Sequence, residues 1–176
     1  MRMQKKWLFF SLTTILCFFV DWYTKYLAAT KLAGELPYHV IKPYFDLVLV
    51  YNRGALFSLD PRHIIPGFPL NAFFFVFSII AMVVIILYFK SLKDSDTLLK
   101  WGLTFIMPGA LGNLFDRVIH PNLGVVDFIK IGISQTTYWP IFNMADVYVT
   151  VGVALVCCNL VLEEIHHKKN NPVIAP

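Results

Sequence analysis

The sequence predicts an all-α membrane protein, four transmembrane helices with a small extracytoplasmic β-sheet. Three observations carry that prediction. First, the 176 residues are 57% hydrophobic and 15% charged, with a mean hydropathy of +0.63. A soluble domain is about 45–50% apolar and about 25% charged. Second, four apolar runs have lengths that suit a bilayer. Third, Asp21, Asp116, Asp127 and Asp146 lie in or beside those runs. Ionisable groups at membrane depth are expensive and usually mark a functional site. The length suits one domain over residues 1–176.

The first span covers about residues 7–29. It follows Arg2, Lys5 and Lys6, and Trp7 to Val20 is uncharged. A basic start and a short apolar core also resemble a secretory signal peptide. Asp21 and Lys25 occupy the place of the small-residue cleavage site, which favours a retained helix. The second span, 70–89, is 20 residues without a charge, enough for a hydrocarbon core of about 30 Å. The third, about 98–116, contains Pro108, Gly109, Ala110 and Gly112. Small residues let helices approach closely in lipid, and neighbours can satisfy a carbonyl freed by proline. The fourth runs over about 143–162.

Four spans put both termini on one side. The ends and the loop 90–100 hold Arg2, Lys5, Lys6, Lys90, Lys93, Lys100, Lys168 and Lys169, eight of the fifteen basic residues. That side reads as cytoplasmic. The formal charge of +4 comes without a long Lys/Arg run. It fits anionic lipid as a partner and no nucleic acid. On the other side, residues 45–51 are rich in β-branched and aromatic residues and are followed by Asn52-Arg53-Gly54, a strand and turn pattern. Val125 to Ile133 is a second strand candidate. The polar tail from His166 to Pro176 is expected to be mobile. Cys17, Cys157 and Cys158 lie in apolar runs and read as packing residues.

Three constellations carry chemistry. Asp21 and Lys25 are four apart and share a helix face, either as a simple interfacial ion pair or as a brace for a polar pocket. Asn113 and Arg117 also share a face, with Asp116 beside them. Arg117 could snorkel to lipid phosphate, yet three polar residues at one helix end exceed that need. Asn143 suits an N-cap, with Asp146 at the third helical position, where the dipole favours a carboxylate. Capping explains those two residues but not Asp127, which stands among apolar neighbours.

Two carboxylates brought together near membrane depth share a proton. One can then act as base on water while the other protonates a carbonyl oxygen. Asp127 and Asp146 are the candidate catalytic pair for peptide hydrolysis without a metal or other cofactor. No His-Glu-x-x-His, Gly-x-Ser-x-Gly or Cys–His arrangement occurs. A small transporter or proton-relay subunit is the alternative, but it would stagger its acids in depth. A structural subunit with capped helices would leave Asp127 unexplained.

At these residues the chain resembles bacterial lipoprotein signal peptidases, the signal peptidase II family. The matching blocks are Asp21-Trp22-Tyr23-Thr24-Lys25, Asn52 to Ser58, Gly112 to Arg117, Val125 to Phe128, and Phe142 to Asp146. Five blocks in family order, with this hydropathy, are specific. The resemblance implies four membrane helices with an extracytoplasmic β-cradle, in the bacterial cytoplasmic (inner) membrane. It implies an aspartyl endopeptidase that removes signal peptides from prolipoproteins before a diacylglyceryl-modified Cys. Asp127 and Asp146 match the catalytic aspartates. Asn52, Asn113, Arg117 and Asn143 match residues that hold substrate backbone or position the dyad. Asp21 and Lys25 match a supporting pair, and Asp116 a structural aspartate. Trp22 stands where the family often has Gln, and Leu56 where a second Ala is common. Asp60 to Pro69, with three prolines, reads as a distinctive outer loop.

Overall fold

The computed structural model describes residues 2–53, 65, 67–134 and 137–170. Most of the Asp60–Pro69 loop, the Gly54–Ser58 half of the second block and the end of the tail lie outside the described residues. Among the described residues four helices and three strands follow one another: α1 (Arg2–Lys31), β1 (Tyr38–Ile41), β2 (Phe45–Asn52), α2 (Leu70–Ser91), α3 (Thr97–Ile119), β3 (Val125–Ile131) and α4 (Met144–Asn170). Three of the helices are long and apolar enough to cross a membrane, over Gln4–Lys31, Leu70–Ser91 and Met144–Asn170. The faces they turn outward are apolar, including Leu12, Leu16, Phe77, Ile80, Leu87 and Leu160.

α3 is the helix those three surround. Its 23 residues reach about 35 Å at about 1.5 Å per residue. It packs against α1, α2 and α4. Nine of its residues are buried, among them Gly102, Thr104, Pro108, Gly109 and Gly112. A helix sheathed by others needs small residues where its neighbours approach, and α3 supplies Gly102, Gly109 and Gly112 on its buried side. The closest approach is to α4. A β-carbon on Gly102 would strike Val156 and the carbonyl of Gly152, one on Gly109 the carbonyl of Ala145, and one on Gly152 the carbonyl of Gly102.

The packing pairs fix the directions. Phe9 meets Trp101, and Phe18 meets Phe115, so α1 and α3 run parallel. Gly102 faces Gly152, and Gly109 faces Ala145, so α4 runs back. The start of α1 reaches the end of α2, where Lys6 Nζ donates to the carbonyls of Phe89, Lys90 and Leu92 at 3.1, 3.2 and 2.9 Å. A lysine from one helix thereby satisfies the orphan carbonyls of another. The start of α1 and the end of α4 therefore lie at the same end of the bundle. At that end an apolar core forms from Phe10, Ile85, Phe89, Leu92, Leu99, Leu103 and Met107. The sheet lies at the opposite end.

The sheet is antiparallel in the order β1-β2-β3. Both expected strands are present, with Asn52 as the last residue of β2, and the turn expected at Asn52-Arg53-Gly54 runs out of the described residues. β1 had no strand signal, since its four residues are all exposed. The expected mobility of the tail is corrected in part. α4 continues through His166 to Asn170, carried by helical spacing of Glu164 and Lys168, whose charges meet at 3.0 Å.

The α3–α4 seam has no room for a side chain. Gly152→Val should therefore lower stability by roughly 1–3 kcal/mol through overpacking. Thermal unfolding in detergent measures it, and an unchanged transition would show that the seam is looser than described.

Candidate active site

The polar cluster begins with a buried lysine. Lys25 Nζ lies 2.8 Å from Asp21 Oδ2 and 2.9 Å from Asp116 Oδ2, with all three side chains nearly inaccessible. It also donates to Asn113 Oδ1 at 3.0 Å. The first block is thus a brace within the bundle and not an interfacial pair. Each carboxylate does a second task. Asp21 Oδ1 accepts the backbone N–H of Ala145 at 2.8 Å. Asp116 Oδ2 accepts that of Val126 at 3.1 Å. Gly112 is where α3 passes the Asp21 carboxylate, and a β-carbon there would collide with it.

The strands then bring in Asp127. Val126 and Asp127 are among the least exposed residues of the chain, because β3 is covered on both faces and paired on both edges. β2 pairs one edge, with Val50 opposite Asp127 and Asn52 opposite Val125. Asn52 is therefore diagonal to Asp127 on the same face, and its Nδ2 donates to Asp127 Oδ2 at 3.0 Å. On the other edge Ile129 bridges Phe142, with N–H to carbonyl distances of 2.8 and 3.1 Å. That bridge delivers Asn143 beside Asp127. The turn into β3 needs Gly124, whose φ is +90° and whose α-carbon lies against the backbone of Asn52.

Asn143 joins the two carboxylates. It is fully buried, and its Nδ2 donates to Asp127 Oδ1 at 2.7 Å. Its backbone N–H donates to Asp146 Oδ2 at 3.1 Å, and the N–H of Asp146 donates to Asn143 Oδ1 at 3.0 Å. The latter two bonds form a reciprocal capping box at the start of α4. Capping and site building are therefore the same contacts. Asn113 Nδ2 holds the remaining oxygen, Asp146 Oδ1, at 2.9 Å. Arg117 Nη1 donates to the carbonyl of Asn113 at 2.8 Å, and its guanidinium lies over the Phe74 ring at 5.2 Å.

All eight sequence-selected site residues, Asp21, Lys25, Asn52, Asn113, Arg117, Asp127, Asn143 and Asp146, thus fall in one connected cluster. Asp116, read as structural, joins it through Lys25 and Val126. The acids gather at one end of the bundle, whereas a relay path would spread them through its depth. What sequence reasoning missed were the backbone partners, Ala145 and Val126, and the need for Gly112. A glycine one residue before Asn113 was the available signal.

The two carboxylates differ in environment. Asp127 is buried and Asp146 half-buried. Burial, and then the neighbouring Asp146 charge, push the Asp127 carboxyl up to about 7, against the pull of the Asn52 and Asn143 amides. A pair with one proton near neutrality can supply a base and an acid together.

Fold and site define a class, a membrane-embedded hydrolase with a carboxylate pair beside a small sheet. Comparison with known proteins gives the family. The signal peptidase II family model matches residues 13–162, and the chain belongs to that family of peptidases. It is 36% identical over 149 residues to the lipoprotein signal peptidase of Ectopseudomonas mendocina, covering 85% of each chain. It is 33% identical over 174 residues to that of Geobacter metallireducens, covering 96% of this chain and 100% of the other. A bacterial membrane enzyme solved by the in meso method at 2.3 Å resolution superposes with a TM-score of 0.72 at 28% identity, covering 93% of both chains. A second, at 1.9 Å, gives 0.69 at 30% identity, covering 86% and 91%. The chain is a multi-pass membrane protein.

The raised carboxyl has a consequence for stability. Asp127 binds its proton more tightly folded than unfolded, so folding is favoured in acid and loses that margin as pH rises from its ordinary 3.8 to about 7. The melting temperature in detergent should fall over that window. Asp127→Asn should flatten the profile, and Asp146→Asn should move the fall to lower pH. A profile unchanged by both substitutions would contradict the assignment.

Proposed function

We propose that the chain is a four-helix aspartyl endopeptidase of the bacterial cytoplasmic membrane. It removes signal peptides from prolipoproteins before a diacylglyceryl-modified Cys, with Asp127 and Asp146 as the catalytic pair. The observation that carries the pair is that one buried residue, Asn143, bonds both carboxylates. Residues 1–176 act as one peptidase domain, and no cofactor takes part.

The chemistry follows from one shared proton. The ionised carboxylate takes a proton from water, and the water oxygen attacks the scissile carbonyl carbon. The protonated carboxyl gives its proton to the carbonyl oxygen. Collapse of the tetrahedral intermediate breaks the C–N bond: the amine leaves with the proton first taken from water, and a hydroxyl of the intermediate returns its proton to the carboxylate that had donated one. Asn52 and Asn143 fix the rotamer of Asp127, and Asn113 that of Asp146. Arg117, at the mouth of the cluster, supplies donors for substrate backbone.

In this reading α3 also crosses the membrane, both termini are cytoplasmic, and the sheet and carboxylates face outward. The basic flanks support that orientation. The substrate's lipid chains lie in the surrounding hydrocarbon and contribute about 0.8 kcal/mol per buried CH₂. That anchoring fixes the depth at which the scissile bond meets the pair.

A cleavage assay on a lipidated prolipoprotein peptide tests the proposal. Asp127→Asn and Asp146→Asn should each nearly abolish turnover in folded protein, because paired groups act as a unit, and EDTA should have little effect. The diacylglyceryl-Cys peptide should have a far higher kcat/KM than the free-Cys peptide. Full activity of either variant sinks the pair; equal kcat/KM values sink the lipoprotein specificity.

Cysteine labelling in intact cells tests the topology. Sites at Ser95 and Asn170 should react only from the cytoplasm, and a site at Asn122 only from outside. Labelling of Ser95 and Asn122 from the same side would remove α3 from the spans.

A further inference from the structure

At the end of the bundle opposite the carboxylates, a cavity of about 440 Å³ lies between the start of α1, the end of α2 and the start of α3. Three lysines, Lys5, Lys6 and Lys100, line it, against one carboxylate, Asp94. The lysines are not equivalent. Lys6 is committed to the three α2 carbonyls. Lys100 gives one donor to the Asp94 carbonyl at 2.6 Å and keeps two. Lys5 is exposed and makes no hydrogen bond or ion pair among the described residues. Thr97, the first residue of α3, also lines the cavity and brings the positive end of that helix to it.

The cavity floor is aromatic. Phe9 meets Trp101 edge-on at 4.5 Å. Trp101 stacks on Phe105, one turn deeper along α3, at 5.9 Å. A line of rings thus leads from the cationic cavity toward the middle of the bundle. Trp101 is 41% exposed. The peptidase chemistry uses none of these groups.

We propose that this cavity binds the phosphodiester headgroup of an anionic phospholipid, with Lys5 and Lys100 on the phosphate and an acyl chain along Phe9, Trp101 and Phe105. The proposal rests on the reading that α3 spans the membrane with this end at the cytoplasmic surface. The charge excess selects an anion, and the ring line selects an anion that carries a hydrocarbon chain. Basic pockets between helices at the cytoplasmic surface suit such headgroups.

The test is lipid titration of the delipidated full-length protein, followed by native mass spectrometry, with phosphatidylglycerol and phosphatidylcholine as probes. The wild type should bind one phosphatidylglycerol in preference to phosphatidylcholine. Lys5→Ala/Lys100→Ala should weaken that binding about ten- to thirtyfold while cleavage in neutral detergent is retained. Trp101→Leu, which keeps both charges, should weaken both lipids. Lys168→Ala/Lys169→Ala, at the same end of the bundle on α4, should change nothing. Equal binding of the two lipids, or an equal loss in the α4 variant, would overturn the site as no more than diffuse surface charge. Displacement of the lipid by excess inorganic phosphate would overturn the lipid in favour of a free anion. Labelling at Ser95 reports the span independently, so a failed site and a failed topology are read apart.

Discussion

The structure is organised around the burial of one charge. Lys25 carries its ammonium into a region where water does not reach, and an uncompensated charge there is untenable. Asp21 and Asp116 compensate it, and Asn113 accepts a third bond. Those partners are themselves tied to other elements, Asp21 to the start of α4 and Asp116 to β3. The ion cluster therefore sets the positions of α1, α3, α4 and the central strand together. Losing one partner of a buried pair costs about 3–5 kcal/mol, so these elements cannot drift apart singly.

The bundle has two unlike ends as a result. One end is held by apolar packing around Phe10, Phe89 and Leu103 and by Lys6 on the α2 carbonyls. The other end is held by hydrogen bonds and charge. Between them α3 and α4 meet through glycines, which bring the backbones close. Such a division places rigidity from directional bonds around the two carboxylates, and leaves the rest to packing. It also leaves the central helix sheathed by the other three. Its neighbours meet the lipid on its behalf.

Near the carboxylates, each polar group serves two purposes. Asn143 caps α4 and orients Asp127. Asp146 returns a bond to that cap and offers its other oxygen to Asn113. Because capping already requires these residues, the pair is positioned by the same bonds that end a loop and begin a helix. Burial, and then the Asp146 charge, raise the Asp127 carboxyl to about 7, so that group holds a proton close to neutrality.

By itself the sequence determined the four helices and the identity of the polar residues, but it placed the start of α1 and the end of α4 short of Arg2 and Asn170. Apolar runs of about 20 residues have few alternatives, and acids inside them demand a reason. The strands at Phe45–Asn52 and Val125–Ile131 were legible from β-branched residues, but exposed β1 was not. Helical spacing put Lys25 beside Asp21, and capping put Asn143 beside Asp146. Neither rule reaches across the chain. Only the tertiary structure decided that Lys25 also meets Asp116, 91 positions away (116 − 25), and that Asn143 meets Asp127. Those contacts depend on which helices pack together and on the Ile129–Phe142 bridge, and local periodicity carries no information about either. The interior place of α3 was hidden for the same reason, since hydropathy measures what a helix offers to lipid and not what its neighbours shield.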